Sequence, residues 1–210
     1  TLTALGYLQQ NPTTKYYTLS PKILGLVQGY SEHSLLVQRA MPHLITCSQQ
    51  AQESVNLGAL DGTKMIYTAC IKGPHRLNVN YYVGDSYEIH CSGGGLALLS
   101  AMTPGRAREI LDQIELTRHT QYTMTDKEAI LQRLAAAHER GYVIAQQEYY
   151  IGNMSTAAPV IDNSGDPVAA VNISAPTARW TLEEVEQKLA PLAVKTAKAI
   201  SREIQKVDDS

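Results

Sequence analysis

The stretch His90-Cys91-Ser92-Gly93-Gly94-Gly95 concentrates more chemical options than any other in the chain. A thiol or hydroxyl beside an imidazole is the raw material of nucleophilic catalysis. Consecutive residues of an extended segment point in opposite directions, however, and Ser92-Gly93 lacks the G-x-S-x-G elbow that exposes a nucleophile. An enzyme is therefore not expected, and His90 reads as a hydrogen-bonded structural histidine. The three glycines ahead of the apolar run Leu96-Ala97-Leu98-Leu99 offer a different chemistry. Bare backbone N–H groups at a helix start favour a carboxylate or phosphate. The same glycines would also serve a tight turn with no ligand, and they match neither the dinucleotide nor the Walker fingerprint.

Other candidates are polar groups near strands. Gly152-Asn153-Met154-Ser155-Thr156 leads small and polar residues into Ala157-Ala158-Pro159-Val160. In Asn172-Ile173-Ser174, alternation sets Asn172 and Ser174 on one face, where they either line a pocket or face solvent. Periodicity alone favours solvent. Tyr81-Tyr82 and Tyr149-Tyr150 read as strand packing with hydroxyls at the rim, except Tyr81, which shares a face with Val79 and is a candidate to touch an aromatic ligand. Cys47, Cys70 and Cys91 form no CxxC pair, and the histidines form no H-x-x-x-H pair. No metal, cofactor or disulfide framework is expected.

The elements that must position these groups follow from period and punctuation. Thr1–Leu8 reads as the end of a helix, and Tyr16–Leu19 is β-prone. Ser20-Pro21 starts a helix, and another runs from Leu35 to Gln50 with Pro42 interrupting or kinking it. Strands are expected at Ser54–Leu60, Lys64–Ile71 and Leu77–Val83, the first two joined through Asp61-Gly62. A short helix, Leu96–Met102, and one from Pro104 follow. Capping boxes at Thr125–Glu128 and Thr181–Glu184 begin helices ending near Arg140 and Ile204. Strands at Tyr142–Gln147, Ala157–Ile161 and Val168–Ser174 lie between them. This β-β-β-α-α-α-β-β-β-α order predicts an α+β fold on an antiparallel sheet.

The 18 basic and 20 acidic residues give a net charge of −2, which excludes a protein that coats nucleic acid by charge. No apolar run reaches the roughly 20 residues of a membrane span, and a cytoplasmic setting is expected. Tyrosine occurs twelve times and phenylalanine not at all.

Taken in order, these segments resemble the IclR family of bacterial transcription regulators along nearly the whole chain. Leu2, Leu5-Gly6-Tyr7-Leu8 and Tyr17-Thr18-Leu19-Ser20-Pro21 match the family's winged-helix end. Gly84, His90, Ser92, Gly95 and Leu96–Leu99 match its glycine-loop motif. Gly141-Tyr142, Glu148, Gly152 and Ala157-Ala158-Pro159-Val160 match a third block, and Val171–Pro176 the last. The resemblance implies a GAF-like or profilin-like effector domain, a curved antiparallel sheet flanked by helices. It divides the chain into a winged helix-turn-helix remnant (1–20), a linker helix (21–34) and an effector-binding domain (35–207). It also implies a small-molecule effector, an organic acid or aromatic compound, held at Gly93, Gly94, Ser155, Asn172 and Ser174, to which the strand-face reading adds Val79 and Tyr81. Operator DNA is expected to be bound by the full-length protein only, since Lys15 is the sole cation in the first 21 residues. A homodimer or homotetramer is expected. The chain departs from the family at Ala145, where an acidic pocket residue is usual, at Leu96 in place of Lys, and at Asn172 and Ala175 in place of Ser and Gly. Loss of the carboxylate makes the pocket roomier and less hostile to anions. An assembly module without a ligand is the alternative from another class.

Overall fold

The computed structural model describes residues 1–76 and 78–206, so position 207, the expected end of the effector domain, lies outside the described residues. The chain forms two compact units, Thr1–Gln38 and a second beginning at Arg39.

In the first unit, Gly6 takes a left-handed conformation (φ 80°). Tyr7 N–H donates to the Leu2 carbonyl and Gly6 N–H to that of Thr3, the paired bonds that close a helix end. The expected helix terminus thus survives as one turn, and the strand starts earlier than Tyr16, at β1 (Leu8–Gln10), paired with β2 (Tyr17–Leu19). Asn11 Oδ1 accepts the Thr13 and Thr14 N–H groups in the turn between them. Ser20 Oγ accepts the Lys22 N–H in the turn ahead of α1 (Ile23–His33), which starts two residues after Pro21 with Lys22 as an N-cap lacking a side-chain bond, and which buries no residue of its own.

α2 (Leu35–Ala51) runs through Pro42 as one helix, so of the interruption or kink expected there the interruption does not occur. The second unit is built on a six-stranded antiparallel sheet of β3 (Val55–Asp61), β4 (Lys64–Ile71), β5 (Ser86–Glu88), β6 (Val143–Gln146), β7 (Asn153–Ile161) and β8 (Pro167–Pro176), in the order β5-β4-β3-β8-β7-β6. With its helices this is the expected α+β architecture.

The third strand lies elsewhere than expected. Leu77 falls outside the described residues, and 78–83 forms no strand. Gly84 is left-handed (φ 94°) and the Asp85 carboxylate accepts the Tyr82 N–H, so the chain turns there. Pairing with β4 is taken up instead by Ser86–Glu88, with Met65 opposite Tyr87.

One sheet face carries α3 (Gly93–Ala101), with α4 (Pro104–Asp112) and α5 (Lys127–Arg140) layered over it. Met65, Tyr67, Ala145, Ala157 and Ala170 of the sheet pack there against Leu96–Leu99. The small side chains of β7 and β8 let α3 come close. By strand alternation Val171, Ile173 and Val160 face the other side, where α7 (Ala190–Gln205) packs on β7 and β8. The expected long last helix is segmented into α6 (Leu182–Glu184), a π-helical turn (Val185–Leu189) and α7. Pro191 cannot donate to the Gln187 carbonyl, and the ladder widens as Ala190 N–H reaches Val185 O.

Candidate functional site

The site grows from the start of α3. The helix begins at Gly93 rather than at Leu96, so all three glycines lie in its first turn. Ser92 is its N-cap, its hydroxyl oxygen accepting the Gly95 N–H at 3.3 Å. The glycines are not equivalent. A Cβ on Gly95 would stand 2.5 Å from the Ile89 carbonyl oxygen, and one on Gly93 would stand 2.4 Å from Ser155 Oγ and 2.7 Å from Asn172 Oδ1. A Cβ on Gly94 would meet only the Met65 side chain, at 3.5 Å or more. Gly93 therefore touches the polar groups, Gly95 serves the turn before the helix, and Gly94 packs against Met65.

Sheet register supplies the other wall. Ser155 lies opposite Ser174, Asn172 opposite both Ala157 and Asn56, and Ala145 opposite Ser155. Ser155 is thus a strand residue, not a loop residue, because β7 begins four positions before Ala157 (at Asn153). Asn172 and Ser174 are buried, not solvent-facing. Ser174 Oγ donates to Asn153 Oδ1 at 2.9 Å, and Asn153 Nδ2 donates to the Tyr81 hydroxyl at 3.2 Å. Asn172 is fully buried, and neither its amide nitrogen nor its oxygen has a partner; Asn56 Nδ2 beside it is also unpaired. Buried polar groups without partners cost free energy and are rare in folded proteins.

Tyrosines roof this wall. Tyr67, Tyr81, Tyr87, Tyr149 and Tyr150 line the cavity with Cys91, Ser92, Gly93, Asn153 and Ser155. Their rings meet edge to face, Tyr67 and Tyr81 at 5.0 Å and Tyr87 and Tyr149 at 4.8 Å between centroids. The cavity is closed to about 30 Å³, the volume of roughly one water molecule. On the far side of Tyr81 lies a second cavity of about 320 Å³, lined by Ser54, Asn56, Cys70, Val79 and Tyr82. Val79 belongs to this second cavity only. Tyr81 and Val79 share no strand face, since their segment is irregular.

The electrostatics are those of a neutral, desolvated site. Burial pushes the Tyr67 and Tyr81 hydroxyls well up, so both stay protonated donors. Glu148, the one carboxylate in the lining, is held by Arg133 through two hydrogen bonds of 2.9 and 2.8 Å. His90 is buried, and its Nε2 N–H donates to the Thr117 carbonyl at 3.1 Å. Burial holds its pKa below the usual histidine value, so it is neutral. Burial also pushes the Cys91 thiol up, the opposite of what an activated nucleophile needs.

Of the residues singled out in the sequence, Tyr81, Gly93 and Ser155 line the cavity, Asn172 and Ser174 lie behind it beside Gly93 and Ser155, and Gly94 and Val79 lie outside it. Sequence reasoning missed Asn56, Asn153, Tyr67, Tyr87, Tyr149 and Tyr150. Asn153 gave a signal only as part of the polar block Gly152–Thr156, and Tyr149 and Tyr150 only as an adjacent aromatic pair, which lies in the turn after β6 rather than in a strand.

Comparison with known proteins agrees with this architecture. The family model described as "Bacterial transcriptional regulator IclR C-terminal" matches residues 28–202. The chain belongs to the IclR family of bacterial transcriptional regulators and carries its effector-binding domain. It is 31% identical over 205 residues to the Pca regulon regulatory protein of Pseudomonas putida, covering 97% of this chain and 70% of that protein. It is 29% identical over 192 residues to the regulator KdgR of Escherichia coli, covering 91% and 73%. A putative transcriptional regulator from Rhodococcus superimposes with a TM-score of 0.84 at 30% identity, covering 97% of this chain and 80% of that one. A double mutant of the PobR inducer-binding domain from Acinetobacter, solved in complex with 3-hydroxybenzoic acid, superimposes with a TM-score of 0.70 at 25% identity, covering 77% and 95%. These relatives are regulators, not enzymes. Among the described residues no helix is long and apolar enough to cross a membrane.

Proposed function

We propose that this chain senses a small organic acid or aromatic metabolite at the wall formed by Gly93, Ser155, Asn172 and Ser174, and that occupancy alters operator binding by the full-length regulator. The observation that carries this reading is Asn172, fully buried with both amide atoms unpaired and its oxygen 2.7 Å from where a Cβ on Gly93 would stand. A ligand carboxyl or hydroxyl would satisfy that amide, with the Gly93 N–H and the Ser155 hydroxyl as further donors. The relative solved with a hydroxybenzoic acid supports the ligand class.

A cavity of about 30 Å³ admits no metabolite as it stands. The reading is of a closed state in which Tyr81 divides the polar wall from the neighbouring cavity of about 320 Å³, a volume within the range of small-molecule sites. Swinging Tyr81 aside joins the two, and a ligand that binds only the opened form shifts the population toward it. The exposed Leu24, Leu26, Val27 and Tyr30 of α1 support self-association as a dimer or tetramer.

The closed cavity also favours a second reading, an assembly module that binds no metabolite. Calorimetry across aromatic and short-chain acids separates the two. The sensing reading expects at least one acid to bind wild type and to lose affinity in the Ser155→Ala/Ser174→Ala double variant. Binding by none, or equal binding by the variant, overturns it.

A further inference from the structure

We propose that Glu88, Cys91 and His119 form a site for one zinc-type divalent cation at the wall of the tyrosine-roofed cavity. The carboxylate, thiol and imidazole come from three segments: the end of β5, the turn before α3 and the loop between α4 and α5. Their ligand atoms all lie within 4.8 Å of one another. A sulfur, an imidazole nitrogen and a carboxylate oxygen on one point suit zinc better than a hard cation such as magnesium or calcium.

The contact between His119 and Glu88 carries the argument beyond proximity. Nε2 of His119 lies 3.2 Å from Oε2 of Glu88, an ion pair when the ring is protonated, yet that buried oxygen accepts no aligned hydrogen bond from it, and the Tyr149 hydroxyl is the carboxylate's other neighbour. Two ligands at the usual zinc distances of about 2.0–2.1 Å, set at the tetrahedral angle, would stand about 3.3 Å apart. The pair already has the spacing of a coordination edge and lacks the alignment of a hydrogen bond. Each ligand is also held from behind. The turn after Glu88 is closed by Ser92 Oγ donating to the Glu88 carbonyl at 2.9 Å, which brings Cys91 Sγ to 3.9 Å from the same carbonyl. The His119 backbone N–H donates to Thr123 Oγ1 at 3.0 Å, which anchors the loop, and the ring stacks on Tyr149 with centroids 4.4 Å apart, which fixes its plane. Support of this kind fixes ligand orientation before the ion arrives.

Three protein ligands leave a fourth position for water or another donor. Cys91 and Tyr149 both line the cavity, so the ion sits at its wall. Cys91 is 1% exposed and binds as the thiolate, its proton leaving to solvent as the metal enters. Lys64 lies opposite Glu88 in the β4–β5 register and is the cation that competes for its carboxylate.

The test is titration of chelator-treated protein with Co²⁺ and Zn²⁺ in the absence of any organic acid, so its failure leaves the effector reading untouched. One Co²⁺ per chain should bind with a near-ultraviolet thiolate-to-metal absorption band, absent in Cys91→Ser and retained in Cys70→Ser. His119→Ala, altered at a partly exposed side chain, should weaken Zn²⁺ more than about 100-fold, beyond the cost of losing a supporting partner. Absence of the thiolate band in wild type, its persistence in Cys91→Ser, or unchanged Zn²⁺ affinity in His119→Ala each overturns the proposal. If Cys91→Ser does not fold, the His119→Ala result decides.

Discussion

Replacing Asn172 by Val should make the protein more stable and unable to sense its ligand. The side chain is fully buried on β8, and its amide nitrogen and oxygen are both without partners. Leaving a buried polar group unsatisfied costs about 1–3 kcal/mol. Val has one side-chain heavy atom fewer than Asn, exceeds it only slightly in volume and suits a strand, so the exchange removes that penalty without opening a large cavity or overpacking the site. The expected gain is about 1–3 kcal/mol, and for a domain of this size each kcal/mol raises Tm by about 2–4 °C. Urea denaturation measures it: the midpoint should rise with the slope unchanged, as for a change in stability alone. A ligand at about 100 times its Kd should stabilise the wild type by about 2.7 kcal/mol and leave the variant unmoved. A loss of 1 kcal/mol or more in Asn172→Val without ligand would refute the reasoning, because it would mean that the amide already has its partners.

Three further outcomes follow from the same geometry. Gly94→Ala should stabilise by up to about 1 kcal/mol through helix propensity, whereas Gly95→Ala should cost about 1–3 kcal/mol, because its Cβ would meet Ile89 backbone; thermal melts of the pair check the opposite signs. His90 has a folded pKa below its ordinary 6.5, so the unfolded chain binds the extra proton; stability contributed by neutral His90 is complete above pH 6.5 and falls away as the pH drops toward the folded value. His90→Gln should flatten the Tm profile below pH 6.5, and an unchanged slope would count against the assignment. Glu53→Ala should cost about 3 kcal/mol by denaturant unfolding, since that buried carboxylate accepts Arg179 Nε and Nη2, each at 2.7 Å, and Trp180 Nε1 at 2.8 Å.

The strands and helices were legible where a period or a cap announced them. The Thr181 capping box is present in full, whereas α5 is capped by Asp126, whose carboxylate accepts the Ala129 N–H, and not by the Thr125–Glu128 box expected there. What failed depended on neighbours distant in sequence. The segment 78–83 has strand composition, but a left-handed Gly84 and the Asp85 cap turn it away, and the weaker-looking Ser86–Glu88 takes the place beside β4. Asn153-Met154-Ser155 reads as loop, yet pairing on both sides extends β7 through it. The site was half legible for the same reason. Gly93, Ser155, Asn172 and Ser174 carry motif signals, while Asn56 joins them only through the β3–β8 register. In the Glu88, Cys91 and His119 cluster only the Glu88-x-x-Cys91 pair is local, and His119 joins it from the loop between α4 and α5, so no complete ligand spacing was visible in the sequence.

Trp180 closes the chain of contacts around Glu53, and it is the only tryptophan in a sequence with twelve tyrosines. Arg179 beside it reaches Asn78 Oδ1 at 3.3 Å, three residues before Tyr81 on the segment that divides the two cavities. The molecule therefore carries its own optical probe. Tyrosine emission overlaps indole absorption, so the aromatic roof can act as energy donor to a single acceptor whose environment follows the Asn78 segment. An effector that moves Tyr81 should change both the Trp180 emission and the transfer efficiency, in unlabelled protein and on the timescale of a stopped-flow mixing experiment.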